Sequence, residues 1–224
     1  MTGTPALVVF VIFVAGFIAY IVWAMRKRKA QVMGLRNEVQ ARGWTFTERD
    51  DSLADGFESL PFGRGHGRHA RDVVRADTPP VVAFTYVWRT GSGDNKKSHT
   101  RQITMLREGA TLPRTEVEPQ TIVARAETAA AGGDLDIELA DFNRAWSVRS
   151  EDARVSHALL HPRMVERIMQ ADLAGRGIFF ENGHVAIVDY VVQMPRLAEH
   201  TAATADTLRE LAALIPPHLS REYA

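Results

Sequence analysis

The feature that most constrains this chain is an uninterrupted apolar run from Ala6 to Met25. Four basic residues follow it directly: Arg26, Lys27, Arg28 and Lys29. At a rise of about 1.5 Å per residue, a helix of roughly 20 residues is about 30 Å long, which matches the hydrocarbon thickness of a bilayer. The sequence therefore predicts a transmembrane helix over residues 6–25, preceded by a short tail over residues 1–5.

A cleaved signal peptide is the alternative interpretation of the apolar run. Such a peptide has a charged start, an apolar stretch of about 7–15 residues and small residues at its cleavage site. Here the residues before the run carry no charged side chain, and the run is longer. The bulky residues Tyr20 and Trp23 also lie where small residues are required. We therefore expect the helix to be retained as a signal anchor.

The four basic residues also predict the orientation of this helix. Lys and Arg close to a membrane span favour the cytoplasmic side, and all four lie on the C-terminal side of the run. We expect a single-pass protein of the cell membrane, with its N-terminus outside and its C-terminal domain in the cytoplasm. Trp23 would then lie near the inner head groups, where an amphipathic ring is favoured.

Charge is distributed unevenly along a chain that is formally neutral overall. Residues 26–42 contain six basic residues and one acidic residue, Glu38, a net charge of +5. Subtracting these from the 27 basic and 27 acidic residues of the whole chain leaves 21 and 26 for Trp44 onward, a net charge of −5. A basic segment attracts anionic lipid at about 1 kcal/mol per residue near the surface. An acidic domain argues against nucleic acid as a partner.

The residues after Gly43 are numerous enough for one hydrophobic core, since domains of about 100–200 residues are common. We therefore assign residues 44–224 to one soluble domain. The chain contains no cysteine, which excludes disulfides, cysteine nucleophiles and thiolate metal sites.

Residues 26–43 are predicted to form a basic juxtamembrane helix that continues the apolar one. Val32, Leu35 and Val39 form a narrow stripe at helical spacing, and Gly43 follows as a left-handed C-cap. We expect the stripe to pack on the domain.

Self-association is the alternative role of this helix. Another copy could pair through the Val32, Leu35 and Val39 stripe, although three or more heptads are usual for a coiled coil. Ala15 and Ala19 offer a second face, because small residues four positions apart let two helices approach closely in a membrane.

The domain combines strand and helix patterns. Strands are predicted at residues 44–47, 68–76, 81–89, 98–107 and 142–149, and a hairpin with an Asn-Gly turn joins residues 178–180 to 185–192. Helices are predicted at residues 121–128, 150–160, 162–169 and 197–215. Residues 81–89 are apolar on both faces and should be central. The pattern predicts an α+β fold with a mostly antiparallel sheet and packed helices, and a mobile loop near residues 129–134.

Several motifs in the domain point to a family. They are WTFT, PFGRGHGR, TYVWRTGSGD, PRTEVEP, DFNRAWSVRSEDARVSHALLHPRMVERI and the ENG hairpin. On these residues the chain resembles an uncharacterised family of single-pass bacterial membrane proteins, a domain of unknown function. The resemblance covers most of the chain beyond Gly43. It implies the anchored architecture and no activity, because the family has no established catalytic residues.

The glycine-rich stretch Gly63–Arg71 is the strongest candidate ligand site. Its candidate binding residues are Arg64, His66, Arg68, His69 and Arg71. Glycines let backbone N–H groups converge, and arginines bind phosphate through two hydrogen bonds. The stretch matches neither the phosphate-loop pattern nor the dinucleotide-binding pattern, so a solvated hairpin corner is the alternative.

The sequence predicts no catalytic residue, no metal site and no cofactor. The histidine pairs considered as metal ligands are His66 with His69 and His157 with His161, but Pro162 disfavours helical geometry at His161. Two further patterns fail: Asp134, Asp136, Glu138 and Asp141 do not match a calcium loop, and Ser156-His157 lacks a glycine elbow.

The leading functional interpretation is a membrane-anchored, non-catalytic interaction, scaffold or regulatory domain that meets the lipid bilayer and an unknown protein partner. The alternative is a module that binds anionic lipid head groups or a phosphorylated small molecule through Arg64, Arg68 and Arg71. An enzyme ranks third, and a deep pocket holding two of His66, His69, Arg71 and Asp72 would favour it.

Overall fold

A long N-terminal helix, α1, begins at Gly3 and ends at Ala41 in the computed structural model, which describes residues 3–120 and 140–224. Gly43 ends it with φ +73°, while the N–H groups of Gly43 and Trp44 donate to the carbonyls of Gln40 and Val39. These bonds satisfy the last carbonyls of the helix, as expected of a glycine C-cap. Within the described residues, no helix combines the length and the apolarity needed to cross a membrane.

In the described part of the chain, eight strands follow this helix and form one sheet. They are β1 (Thr45–Arg49), β2 (His66–Ala76), β3 (Val81–Thr90), β4 (Lys97–Arg107), β5 (Thr115–Pro119), β6 (Trp146–Ser150), β7 (Gly177–Glu181) and β8 (His184–Asp189). Their order is β1-β2-β3-β4-β8-β7-β5-β6, and every neighbouring pair is antiparallel. The predicted α+β class with an antiparallel sheet is therefore confirmed. So is the interior position of β3, which pairs on both sides.

The remaining helices are short, except for one. They are α2 (Ala140–Ala145), α3 (Ala153–Leu159), α4 (Pro162–Ile168), α5 (Leu197–Ala213) and α6 (Pro217–Glu222). The predicted strand over residues 142–149 is wrong in its first half, because Phe142 packs into the core from α2 and the strand begins at Trp146. Asp152 caps α3, since its carboxylate accepts from the N–H groups of Arg154 and Val155.

The two faces of the sheet are covered differently. One face, here called the helix face, carries Val117, Ile178 and Ile187 and packs against α2 to α6 in the largest core cluster. The opposite face, here called the cleft face, carries Phe84, Tyr86 and Phe179 under the segment of residues 53–62. The buried carboxylate of Glu181 holds that segment down, because it accepts from the N–H groups of Glu58 and Ser59 at 2.8 and 3.0 Å. The covering segment leaves part of the cleft face open.

The C-terminal part of α1 packs on the domain. Leu35 and Val39 are buried against Val74 of β2 and against Leu197 and Ala198 of α5. The expected packing of the stripe on the domain is confirmed. Pairing with another copy through Leu35 and Val39 would require these buried side chains to leave the core.

Some predictions fall outside the described residues. They are the helix over residues 121–128, the mobile loop near residues 129–134 and the carboxylates Asp134, Asp136 and Glu138.

Candidate functional site

The structure does not bring the five candidate ligand residues of the glycine-rich stretch together. Arg68 lies on the cleft face, 3.0 Å from Asp55, whereas Arg71 pairs across from Thr85 on the helix face. His69 contacts the carbonyl of Gly67 at 3.1 Å, and His66 is exposed. The separation follows from strand geometry, since neighbouring side chains of a strand point to opposite faces.

The loop before β2 places Arg64 beside an open part of the sheet. Gly65 has φ +64°, and a Cβ atom there would collide with the carbonyl oxygen of Arg89. Only glycine fits such a close approach of two backbones. Part of the glycine pattern therefore reflects this backbone contact rather than a phosphate cradle.

A cleft of about 480 Å³ occupies the open part of the cleft face. This volume lies within the usual range for small-molecule sites, roughly 300–1,000 Å³. The charged or aromatic residues that line the cleft are Arg64, Trp88, Arg101, Glu116, Glu118, Arg149, Phe179, Asp189 and Tyr190. Arg64 is thus the one candidate residue of the glycine-rich stretch that lines it.

Two carboxylates share one arginine in this cleft. Nη2 of Arg149 donates to Oε2 of Glu116 at 3.1 Å and to Oε2 of Glu118 at 2.5 Å. Burial raises the pKa of Glu118, although Arg149 opposes the shift. Because Arg149 is already matched by carboxylates, this part of the cleft offers acceptors for hydroxyl or ammonium groups more than a site for an anion.

The aromatic side of the cleft supplies flat contact surface. The guanidinium of Arg101 lies 5.1 Å from the ring centre of Tyr190, and Trp88 stacks on His99 at 5.1 Å. Among the described residues that line the cleft there is no serine, histidine or threonine.

Glu116, Glu118 and Arg149 were missed by the sequence reasoning. The signal was the Glu-x-Glu spacing within PRTEVEP, which places both carboxylates on one face if the segment is a strand. The prolines on either side pointed instead to an extended connection. The pairing partner Arg149 comes from β6, directly opposite Glu116, and depends on a register that the sequence does not show.

A second cavity, here called the junction cavity, lies between α1, the helix face and residues 191–194. Its volume is about 390 Å³, and Lys27, Gln31, Arg71, Asp72 and Thr85 line it. The cavity brings Arg71 and Asp72 together as an ion pair, 3.2 Å apart, and neither His66 nor His69 is among its lining residues.

Asp72 is the least usual residue of the junction cavity. It lies at an irregularity of β2 with φ +54°, and its side chain is only 6% exposed. Its carboxylate is 3.2 Å from Nη1 of Arg71 and 3.5 Å from Nη2 of Arg28. Burial raises the pKa of Asp72, and the two arginines oppose the shift. Its Oδ1 accepts no hydrogen bond from any residue in the described ranges.

The four basic residues after the apolar run stay on the helix surface. Arg28 reaches Asp72, while Nζ of Lys27 lies 5.0 Å from the ring centre of Trp23. The side chains of Arg26 and Lys29 are exposed. All four remain available to lipid phosphates or solvent.

The histidine pairs do not form a metal site in the part of the chain that the structure covers. Nε2 of His161 bonds the carbonyl of Leu214 at 2.9 Å, which ties α4 to the end of α5, and His157 is exposed. Over residues 3–120 and 140–224, no group of three or more His, Asp or Glu side chains is placed to hold a metal ion.

Comparison with known proteins gives one distant likeness in fold. No protein-family model matches the chain, and a comparison with curated protein sequences gives no match. The fold is similar to the crystal structure of the mycobacterial trehalose monomycolate transport factor A, TtfA, with a TM-score of 0.55 and 13% sequence identity. The match covers 84% of this chain and 97% of that one. At this identity the likeness shows a shared fold.

Proposed function

We propose that this protein is a membrane-associated, non-catalytic binding protein whose N-terminal helix holds the domain at a membrane. The carrying observation is the row of exposed apolar side chains on α1. Phe13 is 73% exposed and Trp23 is 57% exposed, with Phe17 and Ile18 exposed between them. Large contiguous apolar surface of this kind is rare on soluble monomers and marks a membrane or protein contact.

The same helix is fixed to the domain by its other end. Leu35 and Val39 are buried against the domain, and they belong to the same continuous helix as the apolar residues. The apolar part is therefore connected to the domain by helix rather than by a linker. The basic residues Arg26–Lys29 lie between these two parts, at the position where anionic lipid head groups would meet them. The apolar part, the basic residues and the docked part therefore follow one another along α1, which supports the proposal that the domain lies directly at a membrane surface.

The structural likeness is compatible with this proposal. The similar protein is named a trehalose monomycolate transport factor. At 13% identity the likeness supports the fold, and the proposed role at a membrane rests on the exposed apolar residues of α1. A protein partner and self-association through Ala15 and Ala19 remain predictions.

Fractionation of cells that express the full chain tests the proposal. We expect the protein to sediment with membranes and to resist washing with high salt and with alkaline carbonate. Replacing Phe13 and Phe17 by glutamate removes about 1.5–3 kcal/mol of apolar burial per site and adds charge. Because each 1.4 kcal/mol is a tenfold change, the membrane-bound fraction should fall by more than tenfold.

Met33→Glu is the matched control. Met33 is 56% exposed on the same helix but lies beyond the apolar run. This variant should stay with the membranes. A wild-type protein in the soluble fraction, or a double variant that still sediments with membranes, would contradict the proposal.

A further inference from the structure

The junction cavity lies where the apolar part of α1 meets the domain. Lys27 follows the apolar run by two residues and lines the cavity, and Gln31 lines it one turn further on. If the apolar run is in the membrane, as proposed above, the cavity opens at the depth of the lipid head groups. The following inference rests on that proposed function for its lipid source.

Cationic side chains outnumber anionic ones around the cavity. Lys27 and Arg71 line it, and Arg28 approaches from α1, against the single carboxylate of Asp72. Arg28 and Arg71 keep 56% and 31% of their side chains exposed, so they retain donors for a further acceptor. Lys27 makes no ion pair with any residue of the described ranges. A phosphate is the natural ligand of such a group.

The cavity also contains a buried acceptor that receives no hydrogen bond. Nη2 of Arg28 lies 3.5 Å from Oδ1 of Asp72 in an ion pair, but within residues 3–120 and 140–224 this oxygen accepts no hydrogen bond. Such an atom costs free energy in the unliganded state, and a ligand that brings an N–H or O–H donor recovers it. The positive φ of Asp72 also supports a binding site here, since non-glycine residues with such backbone conformations are frequent at functional sites.

We propose that the junction cavity binds a phosphate group that carries a neighbouring N–H or O–H donor, as the phosphoethanolamine head group of a lipid does. The phosphate oxygens accept from Lys27 and Arg71, and the ammonium donates to Oδ1 of Asp72. The volume of about 390 Å³ lies in the range of small-molecule sites. Val192, Met194 and Leu197 line the cavity beside these polar groups.

This assignment makes a sharp distinction between two common lipids. Phosphatidylethanolamine and phosphatidylcholine have the same phosphate and the same net charge. The quaternary ammonium of choline has no N–H group, so it leaves Oδ1 of Asp72 without a donor. The site should therefore prefer ethanolamine, whereas attraction by charge alone would not separate the two lipids.

The test uses the full chain in nanodiscs that contain equal amounts of the two lipids. Native mass spectrometry measures which lipid the protein retains. A hydrogen bond to a charged group is worth about a tenfold change in affinity, so we expect roughly tenfold more phosphatidylethanolamine than phosphatidylcholine on the wild-type chain. Equal retention of the two lipids would overturn the assignment of a lipid head group as the ligand.

Two variants of Asp72 test the acceptor without disturbing the backbone. Asparagine and glycine both adopt positive φ readily, so Asp72→Asn and Asp72→Gly should fold. Asp72→Gly removes the acceptor and should bring the retention ratio close to 1, whereas Asp72→Asn keeps one neutral acceptor oxygen and should lower the ratio only in part. Asp77→Asn, at an exposed aspartate just after β2, should leave it unchanged. Lys27→Gln with Arg71→Gln should lower the retention of both lipids. An unchanged ratio in Asp72→Gly would overturn the assignment.

A soluble probe separates the two sources of the same chemistry. Calorimetric titration with glycerophosphoethanolamine, against glycerophosphocholine, measures the head group without acyl chains. Selective binding of this probe together with equal retention of the two lipids would overturn the lipid source and identify a soluble phosphorylated ligand. A chain that fails the fractionation test but binds the probe through Asp72 would overturn the membrane proposal and support the site.

Discussion

At the scale of single residues, a buried ion pair on the helix face joins three parts of the fold. Arg176 donates to both carboxylate oxygens of Asp189 at 2.6 Å, His200 donates to Oδ2 at 3.0 Å, and Arg176 also reaches Thr204. The group links the end of β8 to α5 and to the turn before β7. Both members of the pair are nearly buried, with side chains 10% and 16% exposed. Losing one partner leaves the other charge without compensation.

Asp189→Asn should therefore destabilise the domain. Breaking a buried pair costs about 3–5 kcal/mol, so we expect a loss of about 3 kcal/mol in urea unfolding at neutral pH. Asp206→Asn is the control, because Asp206 pairs with Arg209 on the exposed side of α5 and should change stability by less than about 0.5 kcal/mol. Similar midpoints for the two variants would contradict the role given to Asp189.

The same aspartate predicts how stability depends on pH. Burial disfavours its ionised form, but the hydrogen bonds from His200 and Arg176 outweigh burial and hold the pKa of Asp189 below its usual value. The folded state then favours the carboxylate, so its contribution is complete above the ordinary aspartate pKa, about 3.9. It disappears as the pH falls through the lower folded pKa. The stability difference between wild type and Asp189→Asn should shrink over that range.

At the scale of elements, α1 docks on the domain through a small buried cluster. Leu35 is 2% exposed in a small cluster, and truncating a buried leucine costs about 2–5 kcal/mol. Leu35→Ala should speed hydrogen exchange in residues 31–41 and lower the stability of the domain. Met33→Ala, at an exposed position of the same helix, should do neither. Unchanged exchange in Leu35→Ala would mean that α1 is held by other contacts.

The sequence predicted a strand or a turn correctly where a short local pattern determines its conformation. Residues 81–89 are apolar on both faces, which predicted an interior strand, and the Asn-Gly pair predicted the hairpin turn, where Asn182 and Gly183 have φ of +50° and +73°. The helix over residues 140–145 was missed because Phe142 and Trp146 also suit a strand. Their packing into the core decides the conformation.

No local sequence pattern could predict the two cavities, because each is formed by residues that are distant in the sequence. The junction cavity needs Lys27 of α1 beside Asp72 of β2, and only the docking of the helix brings them together. The cleft needs the register that sets Glu116 opposite Arg149. The sequence named Arg64 and Arg71 as candidates, but strand alternation and an irregularity of β2 divide them between the cleft and the junction cavity.

At the scale of the whole molecule, the basic and the acidic residues are concentrated in different parts of the structure. The basic residues follow the apolar part of α1, and the acidic excess belongs to the domain that carries the sheet. A lipid surface would attract the first and repel the second. Membrane association of the full chain should therefore bring the helix junction close to the lipid and keep most of the domain away from it.

The same charge pattern predicts the orientation, and the absence of cysteine makes the prediction measurable. A single cysteine at Ala224, which is exposed just beyond the end of α6, should be protected from a membrane-impermeant maleimide in intact cells and labelled after lysis. A cysteine at Thr2 should show the opposite, because the basic residues after the apolar run predict an N-terminal tail on the outside. Tyr223 is less suitable, since its carbonyl accepts from Thr111 and its ring packs on the core. Labelling of Ala224→Cys in intact cells would place the domain outside, where its ligands and partners would be those of the cell envelope.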